Sequence, residues 1–127
     1  MFNKSKAKMF NKRASSEKFK PKEIIASLNI KPGDIIADVG SGGGYYAFEF
    51  AKKTRPNGEI YALDTNQELL DYINSEIQTH GITNVHTVLT KNDDLGLAEN
   101  SIDLMFLRNV YHHLPEPIKY FGRIKNT

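Results

Sequence analysis

The feature that most constrains this chain is a glycine cluster, Gly40-Ser41-Gly42-Gly43-Gly44. It follows the apolar run Ile35-Ile36-Ala37-Asp38-Val39 and precedes a helix-like segment that starts at Tyr45. Glycine reaches positive φ without steric penalty and lets a backbone approach a ligand closely. A helix beginning there directs free N–H groups and a positive dipole end at the same spot. Strand, glycine loop and helix thus make a ligand-binding turn, and the flanking residues narrow the ligand. A dinucleotide loop wants glycine or alanine in the sixth place, where close helix–strand packing needs a small residue. Tyr45 stands there. A P-loop needs Gly-Lys-Ser/Thr after its glycines, and none follows. Instead an acid, Asp38, lies two residues before the first glycine.

The rest of the chain fits the same unit repeated. Pro21 suits a helix start, and Ile24, Ile25 and Leu28 fall on one helical face. Lys31-Pro32-Gly33-Asp34 is a turn by composition. Tyr45 to Lys53 reads as a helix with Ala47, Phe48, Phe50 and Ala51 inward. After Pro56-Asn57-Gly58, a second strand, Glu59-Ile60-Tyr61-Ala62-Leu63, ends at Asp64. Leu69 to Thr79 is an amphipathic helix with Gly81 as its stop. Val85 to Leu89 and Ile102 to Leu107 read as third and fourth strands, and Pro115 opens a final helix. Alternating helices and strands imply parallel pairing through right-handed crossovers, hence an α/β, doubly wound, mostly parallel Rossmann-like sheet. Ligands of such sheets bind outside the carboxyl ends of the strands, where strand order reverses.

Composition sets outer bounds. At 127 residues the chain fits one domain, read as a basic arm over residues 1–22 and a core over 23–127. Hydrophobic residues are 39% and charged residues 25%, ordinary for a globular protein. No run approaches the roughly 18 apolar residues of a membrane span, and the lysine-rich start lacks a secretory apolar stretch, so the cytoplasm is the expected location. The absence of cysteine excludes a protein thiolate as nucleophile or metal ligand, and no metal site is read from the sequence. The arm carries eight basic residues and one acid, against nine basic and fourteen acidic residues in the remainder. That asymmetry keeps RNA or another anionic surface as a minority partner. The favoured reading is a solvated, partly helical tail whose Phe2, Met9, Phe10 and Phe19 pack on the core.

The run Asp38, Val39, Gly40, Ser41, Gly42, Gly43, Gly44 resembles the first motif of class I S-adenosylmethionine (SAM) dependent methyltransferases: acid, apolar, Gly, x, Gly, x, Gly. The resemblance extends over roughly residues 23–121. It takes in the lead-in from Lys31, the acid Asp64 closing strand two, the approach to strand four from Leu97 to Phe106, and Asn109-Val110-Tyr111-His112-His113-Leu114 after it. The family has seven strands, so a chain with four looks truncated after the fourth. An apolar fourth strand left at the edge would suit self-association through that edge.

The resemblance implies SAM as cofactor. SAM carries a sulfonium, an ammonium, a ribose diol and an adenine but no phosphate, so a carboxylate at Asp38 suits its methionine end beside Gly40, Ser41, Gly42 and Gly44. Asp64 can accept two hydrogen bonds, as adjacent ribose hydroxyls require, although the same carboxylate could cap the next helix. The family's adenine-binding acid falls near Lys91, which leaves Asn92 or Asp93 for that contact. His112 and His113 are the candidates for a base or substrate contact, with loop packing as the competing role. Nucleic-acid amino methyltransferases carry Asn/Asp-Pro-Pro-aromatic where this chain has Asn109-Val110-Tyr111-His112. The expected acceptor is therefore oxygen, nitrogen or carbon of a small molecule. A noncatalytic SAM- or nucleotide-binding module is the alternative.

Overall fold

The computed structural model describes residues 4–17, 20–90, 102–108 and 118–123. Two helices lead: α1 (Lys4–Ser15) and α2 (Pro21–Ser27), the second opened by Pro21 at its first turn. The alternation then runs β1 (Ile35–Val39), α3 (Tyr45–Thr54), β2 (Glu59–Asp64), α4 (Gln67–His80), β3 (Val85–Leu89), β4 (Leu104–Arg108) and β5 (Ile118–Arg123). They form one sheet in the order β3-β2-β1-β4-β5. The pairs β1·β2, β2·β3 and β1·β4 are parallel, and β4·β5 is antiparallel. This is the α/β Rossmann-like fold that the strand and helix periodicities imply. Among the described residues no helix is long and apolar enough to cross a membrane.

The apolar runs explain the parallel strands. Ile36, Ala37, Ile60, Ala62, Leu63, Leu104 and Phe106 are all buried, as strands covered on both faces require. Helix α3 supplies Tyr46, Ala47, Phe50 and Ala51 to the core, and α4 supplies Leu70 and Ile73. Phe50 packs edge-on against Phe106, ring centres 5.1 Å apart, and Tyr46 tilts onto the same ring at 4.9 Å. At the amino end of β1 the approach to β4 is tied to Ile35 by one side-chain and one backbone bond. Asp103 accepts from the Ile35 N–H at 2.9 Å while its own N–H donates to the Ile35 carbonyl. That exchange takes up Asp103 just before the strand, so β4 starts at Leu104 rather than at Ile102.

Two expectations are corrected at the other side of the sheet. The segment expected to enter a final helix from Pro115 contains β5 at Ile118–Arg123, and residues 109–117 lie outside the described part. The sequence Ile-Lys-Tyr-Phe is rich in strand-favouring residues, and pairing satisfies the peptide groups that β4 would otherwise expose. The sheet therefore has a fifth strand, and the edge beside β4 proposed for self-association is already occupied.

Candidate functional site

Strand order reverses between β1 and β4, and the loop after β1 lies at that switch point. Gly40, Gly42 and Gly44 all take positive φ, at 71°, 59° and 92°. Gly44 is also hemmed in: a Cβ there would lie 2.9 Å from the Phe48 ring and 3.0 Å from Ile73. Only glycine serves both demands. The loop's N–H groups are turned toward the end of β2. Those of Gly40 and Ser41 donate to the Leu63 carbonyl at 2.8 and 2.9 Å.

Asp64 completes the link. Its Oδ2 accepts from the Gly42 N–H at 3.0 Å and its Oδ1 from the Asn66 N–H at 2.9 Å. One carboxylate thus holds the glycine loop against the β2–α4 turn, joining positions 22 apart in sequence. The helix cap belongs to Asn66, whose side chain accepts from Glu68 N and Leu69 N. A carboxylate has about four acceptor positions, so Asp64 keeps capacity for a diol.

Asp38, one residue before the end of β1, is almost fully buried, at 2% exposure. With Gly40, Ser41 and Gly42 it lines one small cavity beneath Tyr45 and Tyr46. The Ser41 hydroxyl is shielded there and has no hydrogen-bond partner among the described residues. Burial, then the nearby Glu49, raises the Tyr45 phenol pKa. Among the described residues the lining holds a carboxylate, the hydroxyls of Ser41, Tyr45 and Tyr46, and amides, with no lysine or arginine. Such a set fits a ligand with cationic and hydroxyl groups and is poorly suited to a pyrophosphate. Asp38, Gly40, Ser41, Gly42, Gly44 and Asp64 therefore share the carboxyl edge of the sheet. Asn92, Asp93, His112 and His113 lie outside the described residues.

The structure adds contributors from the arm. Phe10, Asn11 and Ala14 of α1 line the same cavity. Asn11 Oδ1 accepts from the Tyr45 N–H at 2.9 Å, and its Nδ2 donates to the Gly43 carbonyl at 2.9 Å. The Tyr72 hydroxyl hydrogen-bonds the same side chain, and Ala7, Phe10, Leu69 and Tyr72 cluster behind it. Met9, also expected to pack on the core, is 48% exposed, while Phe2 and Phe19 lie outside the described residues. The signal for this docking was the stripe Ala7, Phe10, Asn11, Ala14 at helical spacing inside the lysine-rich segment.

Comparison with known proteins identifies the family. Residues 30–127 match a family model described as a methyltransferase domain. A protein-L-isoaspartate O-methyltransferase of Methanococcoides burtonii is 31% identical over 93 residues, which are 72% of this chain and 45% of that protein. The ubiquinone/menaquinone biosynthesis C-methyltransferase UbiE of Cupriavidus metallidurans is 29% identical over 69% of this chain and 37% of its own length. A SAM-dependent methyltransferase of Aquifex aeolicus superposes with a TM-score of 0.76 at 28% identity, covering 92% of this chain and 62% of that one. The chain thus spans less than half the length of these two curated relatives.

Proposed function

This chain belongs to the class I SAM-dependent methyltransferase family, whose cofactor is S-adenosylmethionine, and from that premise we propose that it binds SAM at the glycine loop and serves methyl transfer to oxygen, nitrogen or carbon of a small molecule. The observation that carries this reading is the Asp64–Gly42 bond. It ties a diol-capable carboxylate to the glycine loop at the switch point of the sheet. In this reading Asp64 holds the ribose, and Asp38 with Gly40, Ser41, Gly42 and Gly44 holds the methionine end. Asn92 or Asp93 receives the adenine amino group, and His112 or His113 meets the acceptor as base or contact. Bound SAM supplies the electrophilic methyl group. The protein's own work is to orient the partners and exclude water, with a base needed only for a protonated nucleophile.

Calorimetry on the folded chain with S-adenosylhomocysteine (SAH), SAM and NAD tests the ligand class. Both adenosyl ligands should bind and NAD should not; failure of SAH and SAM to bind would falsify the reading. Asp64→Ala should weaken SAH binding by about 1–3 kcal/mol, the scale of lost hydrogen bonds to a charged group. Methyl transfer from labelled SAM to candidate acceptors is the separate test of catalysis.

A further inference from the structure

Helix α1 lies where the methionine end of SAM is proposed to bind. The cavity left between α1, Asp38 and the glycine loop is about 20 Å³, the scale of a single water. An amino-acid moiety does not fit in that space. The contacts are made against the loop itself. The Phe10 side chain reaches 3.4 Å from the position of a Cβ on Gly42, and the Ala7 carbonyl and Asn11 side chain cover Gly43. Asn11 also satisfies the first N–H of α3 with its own oxygen, which is one of the donors a helix start leaves open for a ligand's acceptor.

We propose, on the basis of the cofactor reading above, that α1 is a self-docking lid with Asn11 as its latch, and that it must leave the glycine loop before the cofactor can enter. Three observations support a removable lid over a permanent wall. Among the described residues of α1 the buried side chains are alanines, Ala7 and Ala14, so little apolar area holds it down. The side chains of Lys6, Lys8, Lys12 and Arg13 are exposed, so these charges stay in contact with water whether the helix is docked or lifted. The docked state keeps the Ser41 hydroxyl shielded without a described partner, which favours exchange of α1 for a ligand that bonds it.

A lid that competes with ligand lowers apparent affinity by the fraction of time the site is open. Asn11→Ala removes three hydrogen bonds of modest net strength, those with Tyr45, Gly43 and Tyr72, and should tighten SAH binding by about tenfold, mostly through faster association. Hydrogen exchange on the full chain supplies the second readout. SAH should speed exchange of the α1 amides, and Asn11→Ala should speed it without ligand. A truncation lacking residues 1–15 should bind SAH at least as tightly as Asn11→Ala. Weaker SAH binding by Asn11→Ala and by the truncation, with α1 amides slowed by SAH, overturns the lid and makes α1 a wall of the site. Unchanged affinity in both variants also overturns it. Absence of SAH binding to all three chains overturns the cofactor reading instead, and the lid with it.

Discussion

Helices α1 and α3 meet at the same glycine loop, and they are held there by different forces. Helix α3 buries Tyr46, Ala47, Phe50 and Ala51 and belongs to the main core with Phe106 of β4. Helix α1 buries two alanines and part of Phe10, and its firmest attachment is the carboxamide of Asn11. Burying a large apolar side chain stabilises by roughly 1.5–3 kcal/mol, and a methyl group by under about 1 kcal/mol. Proteins open locally where buried apolar contact is thin, so α1 should open at a small fraction of the global stability. In the proposed reading one helix builds the site, and the other closes it.

The widest separation of the two helices should come from Phe50→Ala. Phe50 is fully buried, so the substitution should cost about 3–5 kcal/mol in urea denaturation and weaken the whole domain together. Gly44→Ala should cost about 1–3 kcal/mol. It imposes a side chain at φ 92° and crowds Phe48 and Ile73, both of them on scaffold helices. Gly43→Ala makes the sharper contrast. Gly43 is not in the left-handed region, yet a Cβ there runs into the Ala7 carbonyl and comes to 2.5 Å from Asn11 Oδ1. That change should release α1, seen as faster exchange of its amides, at a global cost under about 1 kcal/mol. Equal global losses for Gly43→Ala and Phe50→Ala would erase the distinction between the helices.

The smallest effect concerns pH. Burial, then Glu76, raises the Tyr72 phenol pKa, while its hydrogen bond with Asn11 pulls the other way. A raised folded-state pKa contributes stability that is complete below the ordinary phenol value near 10 and lost as pH rises through the folded value. Melting curves between about pH 9 and pH 11 should show that loss, reduced in Tyr72→Phe. A steeper alkaline loss in Tyr72→Phe would refute the assignment.

The same contrast sets what could be read from the residues alone. Strands β1 to β4 and helices α3 and α4 follow from apolar runs and helical spacing, because burial on both faces leaves a strong imprint. The glycine loop and Asp64 were legible too, since positive φ and a carboxylate at a strand end are local demands. Asn11 was not. A carboxamide in a lysine-rich helix has no local mark of its partners, and its role appears only when α1 lies across the start of α3. The β5 segment carries a misleading local signal, because Pro115 favours a helix start, while the bonding demand of β4's open edge is a property of the sheet.

The central claim, that cofactor meets this chain at the glycine loop, is tested most directly by an amide-resolved NMR titration of the full chain with SAH. The account predicts shifts concentrated at Ser41, Gly42, Tyr45 and Asn66, accompanied by lost protection in α1. Shifts gathered instead at Arg55, His80 and Thr83, in the 480 Å³ groove between the far ends of α3 and α4, would contradict it.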